Sequence, residues 1–242
     1  MLVVLLCLAA SGWLFVIYQA NADDGMSMGL TMGMAAPLFL LSWMAMMAAM
    51  MFPTAAPMVQ MFARISAGKR NAAGADGAPT WLFVAGYFAV WASIGLPAYL
   101  LALGAERAAD NWMWLMDNGP RIGGVALVAA GAYQLSPLRR TCLGKCRTPI
   151  SFVMTSWRDG NRGALTMGEK HGLYCLGCCW ALFAILFPLG IMNIGAMVTV
   201  TALIFAEKLL PGGERVAMVA ASALVALGVL VMVVPSALPT TL

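Results

Sequence analysis

Charge is scarce in this sequence. Only 10% of its 242 residues are Asp, Glu, Lys or Arg, where a soluble domain carries roughly 25%. So sparse a set of charges cannot coat a soluble surface, and it contains no nucleic-acid-binding module, so no nucleic-acid partner is expected. There is one histidine, His171, with no Asp relay beside it, which argues against nucleophilic hydrolysis. No run alternates with period two, which argues against a membrane barrel. No internal repeat, P-loop or Asp-Lys-Thr-Gly phosphorylation motif is present, so ATP does not drive the protein directly.

In place of charge there is apolar length. Hydrophobic residues make up 62% of the chain. About 20 apolar residues cross the roughly 30 Å hydrocarbon layer, and seven runs qualify: 2–18, 36–58, 81–103, 112–135, 173–190, 193–206 and 216–234. The expected fold is all-α, a polytopic membrane helical bundle of about seven transmembrane helices forming one integral membrane domain over 1–242. If Ala20-Asn21-Ala22 marks a cleaved signal, the count is six; the missing basic n-region and the long apolar run favour a retained helix. Lys and Arg fix the orientation. Twelve of the fourteen lie in the second, fourth and sixth connections; of the other two, Arg107 lies in the third and Arg121 near the start of the fourth run. The positive-inside rule then puts the N-terminus in the cytoplasm and the C-terminus on the periplasmic side. Residues 138–170 form a cytoplasmic connection containing Cys, in which Phe152, Val153 and Trp157 fit a short interfacial helix.

The stretch MGEKHGLYCLGCCWALF sets His171, Cys175, Cys178 and Cys179 at i, i+4, i+7 and i+8, within about 100° of one helix face. Thiolate and imidazole are ligands for Zn²⁺, and thiolate also selects Cu(I). Simple packing is the competing reading, since buried Cys behaves as a small hydrophobe. Cys142 and Cys146 stand four apart in RRTCLGKCRTP among Arg139, Arg140, Lys145 and Arg147. These cations are expected to lower the two thiol pKa values. A combined site from all five cysteines is possible; a Cys142–Cys146 disulfide is the alternative. Cys7 is expected to be packing.

Methionine adds a second soft ligand. MSMGLTMGM supplies Met26, Met28, Met32 and Met34 on the outer side, where thioethers suit Cu(I) capture. In WMAMMAAMMFPTAAPM, Met44, Met47 and Met51 share a face, although Pro53 and Pro57 are expected to bend that helix. Flexible apolar filling accounts for Met equally well. Glu207 is a carboxylate at a helix end that needs a partner or an ion, and Lys208 beside it would snorkel.

The segments WMAMMAAMMFPTAAPM, YQLSPLRRTCLGKCRTP, GLYCLGCCWALF and GIMNIGAMVTVTALIFAEKLLP resemble an uncharacterised bacterial family of predicted metal-binding integral membrane proteins. The likeness runs from about 43 to 211. It implies a bacterial inner-membrane bundle with a metal site at the CLGKC and CLGCCW cysteines, and an acidic-basic pair at Glu207-Lys208. In that family a Met often follows CCWAL, where this chain has Phe183. The expectation is a soft-metal protein for metal handling or transfer, with Cu(I) favoured as the ion and Zn²⁺ the second choice. Its expected partners are membrane lipid, other membrane subunits or a small soluble companion protein. Two alternatives stand beside it: a membrane metalloenzyme or thiol oxidoreductase, and a structural subunit of a membrane complex.

Overall fold

The computed structural model describes residues 1–22, 30–31, 33–73, 77–191 and 193–235, without the side chains at 70–73 and 116. Among these residues every regular element is a helix: α1 (Leu2–Ala22), α2 (Ala36–Ala73), α3 (Thr80–Asn111), α4 (Met113–Gln134), α5 (Pro137–Arg147), α6 (Pro149–Ser156), α7 (Gly160–Ala184), α8 (Leu186–Leu189), α9 (Ile194–Leu209) and α10 (Gly213–Val233).

Among the described residues five stretches are long and apolar enough to cross a membrane: Leu2–Ala22, Ala36–Lys69, Thr80–Asn111, Gly160–Leu189 and Gly213–Val233. The other two expected runs fall short for different reasons. The first turns of α4 carry Asp117, Asn118, Pro120 and Arg121, which dilute its hydropathy. The 16 residues of α9 reach only about 24 Å at 1.5 Å per residue. The fifth expected run begins much earlier than 173, because the helix extends back to Gly160. His171 and the cysteines therefore lie in the middle of α7 rather than at its end. Pro53 and Pro57 do not end α2. The short helix expected after Pro149 is α6, with Phe152 and Val153 buried.

Small residues set the helix pairing. A Cβ added at Gly86 of α3 would collide with the Leu165 carbonyl, and one at Gly168 of α7 with the Phe83 carbonyl. At Gly172 it would stand 3.0 Å from the Tyr87 carbonyl oxygen. The α3 and α7 backbones thus touch along a glycine face, the small-residue packing that membrane helices use. Gly124 and Gly228 do the same for α4 and α10, each Cβ meeting the other's carbonyl oxygen, at 2.8 and 2.6 Å. Ser136 starts α5 by accepting from the Arg139 backbone amide, with Pro137 as the first helical residue. After α8 the chain turns at Gly190, whose φ of +90° favours glycine, and Asn193 caps α9 through the Ala196 amide.

The core gathers Met46, Met47, Met50, Met51, Met58 and Phe62 of α2 against Phe83, Tyr87 and Trp91 of α3 and the cysteines of α7. Cys7 corrects its expectation. It is exposed on α1, whose buried face is Leu5, Ala9, Gly12 and Val16.

Candidate functional site

The glycine face of α7 continues one turn beyond Gly172 as Cys175, which the close α3–α7 approach brings against Tyr87. The Cys175 sulfur lies 3.2 Å from the Tyr87 hydroxyl, 3.1 Å from the Lys208 Nζ and 3.9 Å from the Met51 Sδ. α7, α3, α9 and α2 thus meet at one thiol. Cys178 follows three residues on. Its sulfur stands 3.2 Å from that of Cys179 and 3.9 Å from that of Cys146 on α5. α5 can lie this close because α7 has a glycine opposite Cys142: a Cβ at Gly177 would reach to 2.7 Å from the Cys142 sulfur. Tyr133 fixes the same level by donating to the Gly177 carbonyl oxygen at 2.5 Å.

All six cysteines are free thiols. Two sulfurs sharing one ion at about 2.3 Å stand roughly 3.8 Å apart in a tetrahedron and roughly 4.0 Å apart in a trigonal plane. The Cys146–Cys178 and Cys175–Met51 separations fall in that range, while the Cys178–Cys179 separation is too short for it. Among the described residues no group of three or more His, Cys, Asp and Glu side chains is already set out to hold a metal. The geometry offers instead paired sulfurs, one of them a thioether.

His171 lies one turn before Cys175. It is 3% exposed, and the rings of Phe83, Tyr87 and Phe152 surround it at centroid distances of 6.0, 5.5 and 5.4 Å. Its Nδ1 is buried without a hydrogen-bond partner.

The basic residues near α5 do not act on its thiols as expected. Arg139 is paired with Glu207, both side chains 2% exposed. Arg147 donates to the Glu207 and Leu210 carbonyl oxygens, each at 2.8 Å, and so satisfies the open carbonyls at the end of α9. With the guanidinium groups engaged there, burial pushes the Cys142 thiol up. The Cys146 thiol is also pushed up, first through its contact with Cys175 and then by burial, with Cys178 pulling the other way.

Glu207 has its partner. Arg139 holds one carboxylate oxygen, and the Gln134 amide donates to the other at 3.3 Å. Lys208 does not snorkel: it is 7% exposed and reaches the Cys175 sulfur. Lys208, Tyr87 and Arg139 are the site neighbours that sequence reasoning missed or misread. Only the adjacent charges at an apolar helix end hinted at the first.

The methionines divide. Met26, Met28 and Met32 lie outside the described residues. Met34 accepts from Gln19 and Ser42 at 3.8 Å each and lines a small cavity with Leu30, Trp43 and Met46. Met44 is half-buried in a groove beside Leu8, Gly12 and Phe15. Met47 and Met51 are fully buried, and Met51 joins the thiols.

No curated protein and no solved structure matches the chain. A family model does, over residues 40–231, a span that takes in every described residue of the sulfur site. The chain belongs to the PpoB2 copper chaperone family.

Proposed function

We propose that this chain is a multi-pass inner-membrane carrier that captures Cu(I) on outer methionines and holds it on the sulfurs of Cys146, Cys175, Cys178 and Met51. Copper handling follows from the family; the bound form and the route are this reading's own. The observation that carries it is the 3.9 Å approach of Cys146 and Cys178, thiols from two helices, beside the Cys175–Met51 contact of equal length. A mixed thiol and thioether set is soft and suits Cu(I) better than Zn²⁺, which favours thiolate, imidazole or carboxylate.

The membrane reading rests on five apolar helices. α4 lies along α10 through Gly124 and Gly228, and we take it, with α9, to complete a bundle of seven. The basic connections set the N-terminus in the cytoplasm and the C-terminus in the periplasm. The sulfur site then lies against the cytoplasmic helix α5, on the side where thiols stay reduced. Met26, Met28, Met32 and Met34 serve as the outer collector, and Met47 lies one turn before Met51 on α2. A companion protein or further membrane subunit receives the ion. Glu207 supports the site as the partner of Arg139 rather than as a ligand.

Metal content of the detergent-purified protein tests this. Cys146→Ser and Cys178→Ser each lower bound copper, while Cys7→Ser leaves it unchanged. Replacing the four outer methionines by Leu, close in volume, lowers loading only when copper is limiting. Equal copper in all three Ser variants would overturn the assignment.

A further inference from the structure

Lys208 is an ammonium buried among sulfurs. Its Nζ stands 3.1 Å from the Cys175 sulfur, and the salt bridges among the described residues, Lys69–Asp159 and Arg139–Glu207, do not include it. Its chain neighbour Glu207 cannot serve, since Arg139 and Gln134 hold that carboxylate. A buried charge with no counter-charge is strongly unfavourable. The side chain is also long enough to place its charge elsewhere, as lysines near helix ends commonly do. That it turns inward to a cluster of thiols points to an anion forming there.

We propose that Lys208 is the fixed counter-charge of the copper-loaded site and that it determines specificity for a monovalent ion. This rests on the sulfur-site reading above. Charge balance carries it. Cu(I) on any two thiolates of Cys146, Cys175 and Cys178 makes a complex of charge −1, the two thiol protons having left to solvent. A thioether ligand such as Met51 adds no charge. With the Lys208 ammonium the buried assembly is neutral. Zn²⁺ on the same two thiolates is already neutral, and Lys208 would then stand as an uncompensated positive charge until a third thiol lost its proton as well. The same lysine therefore favours the monovalent ion and opposes the divalent one.

The experiment is a competition titration of the detergent-purified full chain with Cu(I) and with Zn²⁺, each against a chelator of known affinity. It uses wild type, Lys208→Arg, Lys208→Met and Lys208→Gln. Met keeps the apolar stem without charge, and Gln keeps an N–H donor without charge. The ratio of Cu(I) to Zn²⁺ affinity is expected to fall at least about 100-fold in the Met and Gln variants, as loss of one nearby charge at low effective dielectric predicts. Arg is expected to hold the wild-type ratio to within about tenfold. If Gln keeps the wild-type ratio, the hydrogen bond to Cys175 matters and the charge does not, and the inference is overturned. An unchanged ratio in Lys208→Met overturns it equally. Should Lys208→Met fail to fold, the Arg and Gln variants decide. Wild type that takes up no Cu(I) on its cysteines removes the sulfur-site reading itself, a result distinct from an unchanged ratio in a protein that does bind.

Discussion

Replacing Gly168 with Ala puts a methyl group where α3 and α7 touch. The new carbon would collide with the Phe83 carbonyl oxygen and stand 2.9 Å from the carbonyl carbon and 3.0 Å from the Tyr87 amide nitrogen. Carbon atoms rest at about 3.5–4.0 Å from one another, so α3 must retreat by on the order of 1 Å. Backbone on both sides leaves no flexible side chain to absorb the shift. Tyr87 sits on the retreating segment, and its 3.2 Å contact with Cys175 would open to about 4 Å, beyond hydrogen-bond reach for most donors. Overpacking of this kind costs about 1–3 kcal/mol. Thermal unfolding of the purified protein in detergent, followed by circular dichroism at one scan rate, should show a lowered midpoint, and a Cu(I) titration should show weaker binding. Gly144→Ala is the control, because a Cβ there meets nothing within 4 Å; it should bind like wild type and unfold no earlier, since Ala gains about 0.5–1 kcal/mol over Gly inside a helix. If Gly168→Ala also unfolds and binds like wild type, the account of α3–α7 packing as the support of Cys175 is wrong.

Two further outcomes are expected. Arg139→Met leaves the Glu207 carboxylate buried without its ion partner and should destabilise by about 3–5 kcal/mol, whereas Arg139→Met with Glu207→Leu should recover most of the loss, because an apolar pair can replace a buried ion pair; a double variant as unstable as the single one, by the same unfolding assay, would contradict this. Thr141, exposed on α5, should label as Cys with a membrane-impermeant maleimide only after cells are permeabilised, and labelling of intact cells would invert the orientation.

The parts of this molecule that were legible in the sequence are those set by local periodicity. His171, Cys175, Cys178 and Cys179 fall on one face because a helix repeats every 3.6 residues, and all four are buried on α7. The helical class followed from long apolar runs. What periodicity could not show is which faces meet. Met51 and Cys175 are 124 residues apart in the chain, and only the α2, α3 and α7 packing joins them. The start of α7 was hidden because GNRGALTMGEK is polar, yet one of its glycines, Gly168, helps seat the helix on α3. The arginines beside Cys142 and Cys146 were misread for the same reason: sequence proximity suggested they would act on the thiols, while α9 supplies Arg139 and Arg147 with closer acceptors.

Those two arginines have a mechanical consequence. They are eight residues apart on α5, about 12 Å along its axis, and both close on Glu207, one on the side chain and one on the backbone carbonyl. α5 therefore grips α9 at two points, like a bar bolted twice to the same beam, and cannot rotate about a single bond. Cys146, next to Arg147, and Lys208, next to Glu207, ride on this joined piece. Any widening between Cys146 or Lys208 and the α7 thiols has to come from α7 parting from the α5–α9 unit, along the seam where Gly177 faces Cys142, because the unit itself is braced against yielding.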